Sequence, residues 1–156
     1  MLRSILCISI WINDLSAFSP DSARIAGALG GFAIIWDAAT GKELVSLEGH
    51  RGNTFTARFD PTGKHVVTAS DDGTARIWIA DTGEEYARLW GHSHHNVLDA
   101  SFSRDGQRVL TYGLDRAAKI WDLDGTELVT LPKRKGILNA VWGPDGSHIA
   151  IAYMNG

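Results

Sequence analysis

Phe55, Ala57 and Phe59 alternate with Thr54, Thr56 and Arg58, and Leu98, Ala100 and Phe102 alternate with Val97, Asp99 and Ser101. A period of two is the signature of extended backbone, whose successive side chains point to opposite sides. Other runs, such as 32–36 and 148–152, are apolar at consecutive positions, which suits strands covered on both faces. Asp-Gly and Thr-Gly pairs stand between the runs and supply tight turns. Between 54 and 89 this reading gives four strands, lettered a to d in each unit, at about 54–59, 65–70, 74–79 and 85–89. No stretch calls for a helix.

The pattern repeats. Trp36, Trp78 and Trp121 are 42 and 43 residues apart, and Gly41, Gly83 and Gly125 keep steps of 42, as do Leu47, Leu89 and Leu131. Phe18, Phe59, Phe102 and Trp142 each precede a turn, namely Ser-Pro-Asp at 19–21, Asp-Pro-Thr-Gly at 60–63, Ser-Arg-Asp-Gly at 103–106 and Gly-Pro-Asp-Gly at 143–146. A fixed period of this length marks units that cannot bury their apolar faces alone and must stack on neighbours. One domain over 1–156 is therefore expected, with units at about 10–48, 49–90 and 91–132 and an incomplete one at 133–156.

Composition narrows the classes. The 156 residues are 44% hydrophobic and 21% charged, an ordinary globular balance that excludes disorder and a membrane bundle. Fifteen Lys and Arg against 18 Asp and Glu leave a net charge of −3, so the surface as a whole has no reason to seek nucleic acid. Cys7 is the single cysteine, which rules out an intrachain disulfide and a Cys-rich zinc site. The apolar stretch 4–12 behind Arg3 has the outline of a short secretory leader, but it is too short to span a bilayer. It reads more simply as a buried strand or as residues added by a displaced start codon, which makes a cytoplasmic protein without membrane attachment the expectation.

Three local features bear on chemistry. His92, His94 and His95 are close in sequence, but adjacent side chains on extended backbone point apart and no cysteine joins them, so no metal is assigned. Lys133, Arg134 and Lys135 form the chain's cationic run; without neighbouring aromatic platforms they read as a solvated loop and a contact patch rather than a nucleic-acid groove. Trp90, beside Gly91, is read as packing under its loop, with a partner anchor as the alternative.

A unit of about 42 residues carrying Gly-His, then an aromatic residue before a turn, then Trp-Asp, resembles the WD-repeat family of β-propellers. Gly49-His50 to Trp78-Ile79 and Gly91-His92 to Trp121-Asp122 are complete units; Phe18 to Trp36-Asp37 lacks Gly-His, and 137–156 is a first half. The resemblance implies an all-β fold, a partial propeller of about three and a half blades of four antiparallel strands in an open arc. It also implies a structural network of His50, Thr68, Asp72 and Trp78, with a counterpart in His92, Thr111, Asp115 and Trp121. Unit one has Gly27 and Gly31 at the Thr and Asp positions and should be looser.

Thr, His and Asp could also form a nucleophile triad, but the set occurs twice and no Gly-x-Ser-x-Gly elbow is present. No catalytic residue and no cofactor are assigned. The resemblance implies a non-enzymatic protein-interaction module or scaffold, read as a fragment of a larger propeller. Alternatives are a half-ring that closes with another copy, the propeller part of a multidomain enzyme, and a propeller enzyme. Its d-to-a and b-to-c loops share one face in the family, which makes Arg51, Gly52, Asp71, His94, His95, Leu114, Arg116, Lys133, Arg134 and Lys135 the partner-facing candidates.

Overall fold

A computed structural model describes residues 17–93, 96–131 and 136–154. The apolar stretch 4–12, His94, His95, Lys133, Arg134 and Lys135 lie outside the described residues. Among the described residues every regular element is a strand. Blade one holds β1 (Ala17–Phe18), β2 (Arg24–Leu29), β3 (Phe32–Asp37) and β4 (Glu43–Glu48). Blade two holds β5 (Thr54–Phe59), β6 (His65–Ser70), β7 (Thr74–Ile79) and β8 (Glu85–Trp90). Blade three holds β9 (Val97–Phe102), β10 (Arg108–Gly113), β11 (Ala118–Asp122) and β12 (Glu127–Thr130), and blade four holds β13 (Ile137–Trp142) and β14 (Ile149–Tyr153). Strands pair antiparallel in chain order within each sheet, and the four sheets do not close into a ring.

The core lies between the sheets. In β6, Val66 and Val67 are both fully buried, yet they serve different interfaces. Val66 joins Trp78 against Ala26, Ala33, Ile35 and Leu47 of blade one, while Val67 joins Ala75, Ile77 and Leu89 against Val97, Val109 and Trp121 of blade three. An inner strand of a middle blade thus has no polar face, which is why its sequence is continuously apolar. Deleting the side chain of a residue such as Leu89 would cost about 2–5 kcal/mol, since both its transfer energy and the cavity it leaves count against the fold.

Blade four differs. Ile137, Ala140, Trp142, Ile149, Ile151 and Tyr153 pack on Leu110, Tyr112 and Ala118 of blade three. Its other face carries Leu138, Val141 and Met154 at 56%, 47% and 54% exposure. The expectation of cover on both faces therefore fails for 148–152, because among the described residues no sheet packs on the outer side.

Successive blades are also clasped at the end bearing the a-to-b turns. Arg24 lies over the Phe59 ring at 5.2 Å and donates to the Gly63 carbonyl at 2.6 Å. Arg108 repeats this on Trp142 at 5.3 Å and on the Gly146 carbonyl at 3.1 Å. Nearer the middle of the strands, Arg58 of β5 reaches Asp99 of β9 at 2.8 Å.

Candidate functional site

The polar centre of blade two is a chain of four groups. The Trp78 indole N–H donates to Thr68 Oγ1 at 2.8 Å, the Thr68 hydroxyl donates to His50 Nε2 at 2.8 Å, and His50 Nδ1–H donates to Asp72 Oδ2 at 2.9 Å. The carboxylate can only accept, which puts a proton on Nδ1, and burial disfavours the charged ring, which leaves Nε2 to accept from the Thr68 hydroxyl. Blade three contains the same chain from Trp121 through Thr111 and His92 to Asp115, at 2.8, 2.8 and 2.9 Å. Thr68 and Thr111 are 0% exposed.

Strand register brings these side chains together. Thr68 pairs with Arg76 and Thr111 with Lys119, each two residues before the tryptophan, so the hydroxyl sits on the same face as the indole. The histidine arrives from the linker between blades, where Gly49 and Gly91 must pass close to the tryptophan edge. A Cβ on Gly49 would lie 2.6 Å from Arg76 Nη1, and one on Gly91 would lie 2.9 Å from Trp121 Cη2. Gly49 also has φ +151°, which side-chain-bearing residues rarely adopt.

Burial pushes His50 and His92 below the ordinary imidazole range, an effect that the bonds and charges of Asp72 and Asp115 only partly offset. Burial would raise the carboxyl of Asp72, but the Thr74 hydroxyl, the Arg51 N–H and His50 outweigh it and hold Asp72 well below the usual carboxylate range. Asp115 is lowered in the same way: burial opposes the shift, and His92 with the Ala117 and Ser93 N–H groups prevails.

Each carboxylate ties two loops. Asp72, in the β6–β7 turn, accepts from the Arg51 N–H of the β4–β5 linker at 3.0 Å and from Thr74 Oγ1 at 2.6 Å. Asp115, in the β10–β11 turn, accepts from the Ser93 N–H of the β8–β9 linker at 3.3 Å.

Sequence reasoning missed a second layer. Arg76 lies over the Trp78 ring at 5.9 Å and binds Glu85 at 2.7 Å; Lys119 lies over Trp121 at 5.7 Å and binds Glu127 at 2.7 Å. The signal was present, because the cations are 43 residues apart and the glutamates 42. A cation next to a fully apolar core reads as a surface residue until its flat partner is known.

Among the partner-facing candidates, Asp71 accepts from Asn53 Nδ2 at 3.0 Å, Leu114 is 54% exposed, and Arg116 has φ 64°. Gly52 sits against the Asp71 carboxylate and the Asp72 backbone N–H, where a Cβ would collide. Trp90 is a correction: it is 69% exposed rather than packed. Leu89 takes the inward position of this outermost strand, which leaves the next side chain with only Thr74 across from it. Trp90, Gly91 and Ser93 with Asp72 and Thr74 line a shallow hollow of ≈ 270 Å³.

Four-stranded antiparallel sheets packed face to face, with the same indole-to-carboxylate chain in two of them, define an arc of a β-propeller. The chain belongs to the WD-repeat family, and the family model for the WD domain, G-beta repeat, matches residues 41–78 and 83–122. It is 31% identical over 148 residues to the SIR4-interacting protein SIF2 of Saccharomyces cerevisiae, an alignment covering 94% of this chain and 26% of that protein. It is 33% identical over 108 residues to a WD repeat-containing protein 26 homolog of Arabidopsis thaliana, covering 66% and 18%. With the serine-threonine kinase receptor-associated protein of Dictyostelium discoideum it shares 28% identity over 117 residues, covering 72% and 39%. The chain thus spans between about a sixth and two fifths of the length of these relatives. Among the described residues no helix is long and apolar enough to cross a membrane.

Proposed function

We propose that the chain is a non-catalytic protein-interaction module or scaffold, organised in units at about 10–48, 49–90, 91–132 and 133–156, that recognises protein through its d-to-a and b-to-c loops. The observation that carries this reading is the tie between the two loop types. Asp72 and Asp115 each fasten a b-to-c turn to the linker entering the same blade, which gives otherwise free loops a fixed shape. A pre-shaped loop surface loses less entropy on binding than a mobile one. The names of two relatives, one SIR4-interacting and one receptor-associated, support the same class of role.

The Thr–His–Asp geometry alone would suit a nucleophile, yet Thr68 is 0% exposed and its oxygen already accepts the Trp78 N–H. No reacting group can approach it, which favours a structural role for both networks over catalysis. A cytoplasmic location is the compartment we assign.

A photo-crosslinking side chain placed at Asp71 or Leu114, and in parallel at Thr62 or Asp105 at the opposite ends of the strands, tests the reading. Protein adducts are expected at the first pair, and adducts confined to the second pair would overturn it. Self-association is the second reading, favoured by the outer face of blade four with Leu138, Val141 and Met154. Light scattering at increasing concentration decides it, since Val141→Lys should then reduce the particle mass.

A further inference from the structure

The loop surface treats the two signs of charge differently. Its carboxylates accept hydrogen bonds from the chain itself: Glu48 from Ser46 and Asp71 from Asn53 at the surface, Asp72 from His50 and the Arg51 N–H, and Asp115 from His92 and the Ser93 N–H. The guanidinium groups of Arg51 and Arg116, by contrast, have no ion pair or side-chain hydrogen bond among the described residues. The four carboxylates keep their charge, since these donors are neutral, but their accepting atoms are already in use, whereas the donors of the two guanidinium groups are unused among the described residues.

Arg116 is held there at a backbone cost. Its φ of 64° is left-handed, and the corresponding position after the turn aspartate in blade two is Gly73, at φ 83°. Glycine would meet the same geometry without strain, so the fold itself gives no reason for arginine; strain of this kind collects where a side chain is needed for binding. The two flanking exposed groups are apolar. Leu114 stands two residues before Arg116 in the same turn, and Trp90 walls the hollow that also contains Ser93, whose N–H is bound to Asp115. The repeat does not require a ring at that place, since unit one has Glu48 there and unit three Pro132.

From this arrangement we infer that blades two and three take a protein segment in which carboxylate side chains alternate with apolar ones. The acidic groups meet the forked donors of Arg116 and Arg51, and an apolar side chain enters the hollow against Trp90. The inference rests on the loop-face reading above and adds the chemistry of the partner. Nucleic acid is the less fitting anion, because one exposed indole and two guanidinium groups do not make a backbone-tracking groove.

The test uses the full chain and a dye-labelled peptide of alternating Glu or Asp with Leu or Phe, followed by fluorescence anisotropy. The same peptide with Lys for each acid and an oligothymidylate of equal charge are the comparisons. The parent should bind the acidic peptide and neither comparison. Arg116→Gly should weaken binding about tenfold while raising the melting temperature, a pairing that a merely structural arginine could not give. Trp90→Ala should also weaken it, and added salt should weaken the parent more than Arg116→Gly. No binding of the acidic peptide, equal binding of the Lys peptide, or tighter binding of the oligothymidylate overturns the inference. If Trp90→Ala loses binding and Arg116→Gly does not, the charge inference falls and the loop-face reading stands. Unchanged binding in both variants, with no crosslinks from Asp71 or Leu114, removes both.

Discussion

Blades one and two have the same four strands in the same order and meet across a shared core, yet they are held differently. In blade two the residue opposite Arg76 is Thr68, which starts the hydrogen-bonded chain to Asp72; in blade one the residue opposite Ile34 is Gly27, and no such chain can form. Blade one instead buries Ile25, Ile34 and Trp36 at 8%, 5% and 3% exposure, and joins β2 to β3 by the two-residue turn Gly30-Gly31. Four paired strands therefore do not need the polar network. Its effect is to let blades two and three carry longer b-to-c turns in one fixed conformation. Loop architecture, not sheet formation, is what the buried histidine stabilises.

The comparison can be broken most severely by hydrogen exchange. Amides of β13 and β14, with an uncovered sheet face, should exchange on the order of a thousandfold faster than those of β6 and β10, with β2 and β3 between them. Slower exchange in blade one than in blade two would mean that apolar packing outdoes the network. Next in size is His92→Ala, which strands Thr111 and Asp115 in the interior; a loss of about 2–3 kcal/mol in denaturant melts is expected. His148, whose side chain is 82% exposed, should tolerate the same change within about 0.5 kcal/mol. Equal losses at the two sites would remove the special standing of the network.

Acid sharpens the contrast further. His50 and His92 are harder to protonate folded than unfolded, so their contribution is intact above the ordinary imidazole value of 6.5 and declines as pH falls below it. Asp72 and Asp115, also depressed, add a second decline below about 4. The first decline should flatten when both histidines are replaced, which melts between pH 7 and pH 5 will read. A gain rather than a loss is expected at Ser22, which has φ 60° where the corresponding turns have Gly63, Gly106 and Gly146 at 73°, 70° and 70°. Ser22→Gly should stabilise blade one by about 1 kcal/mol and raise its melting temperature by a few degrees.

The strands were legible because each interface writes itself as a local pattern. In 54–89 the turns and the period of two place all four strands to within a residue of β5–β8. The histidine-to-tryptophan order was legible too, since it recurs at one period. What the sequence hid depends on which surface a neighbouring group covers. The exposed face of β14 looks the same on paper as the covered face of β3, because both are apolar and only the next sheet distinguishes them. Trp90 was misread for the opposite reason: an indole is usually buried, and only the inward turn of Leu89 leaves it outside. Arg76 and Lys119 stayed hidden because their shared spacing with Glu85 and Glu127 marks a repeated pair without showing that the cation lies buried over an indole.

Four arginine clasps between blades reach forward by about one unit: 39 residues from Arg24 to Gly63, 41 from Arg58 to Asp99, 40 from Arg104 to Pro144 and 38 from Arg108 to Gly146. During synthesis this imposes a delay. A blade can pair its own strands as soon as they leave the ribosome, but its clasping arginines wait for the following unit, some 2–8 s later at ordinary elongation rates. In that interval the newest blade is a sheet with an open flank, and chaperones have a recurring window rather than a single one in which to cover it. The nascent protein therefore grows as a series of half-secured steps, each fastened by the next.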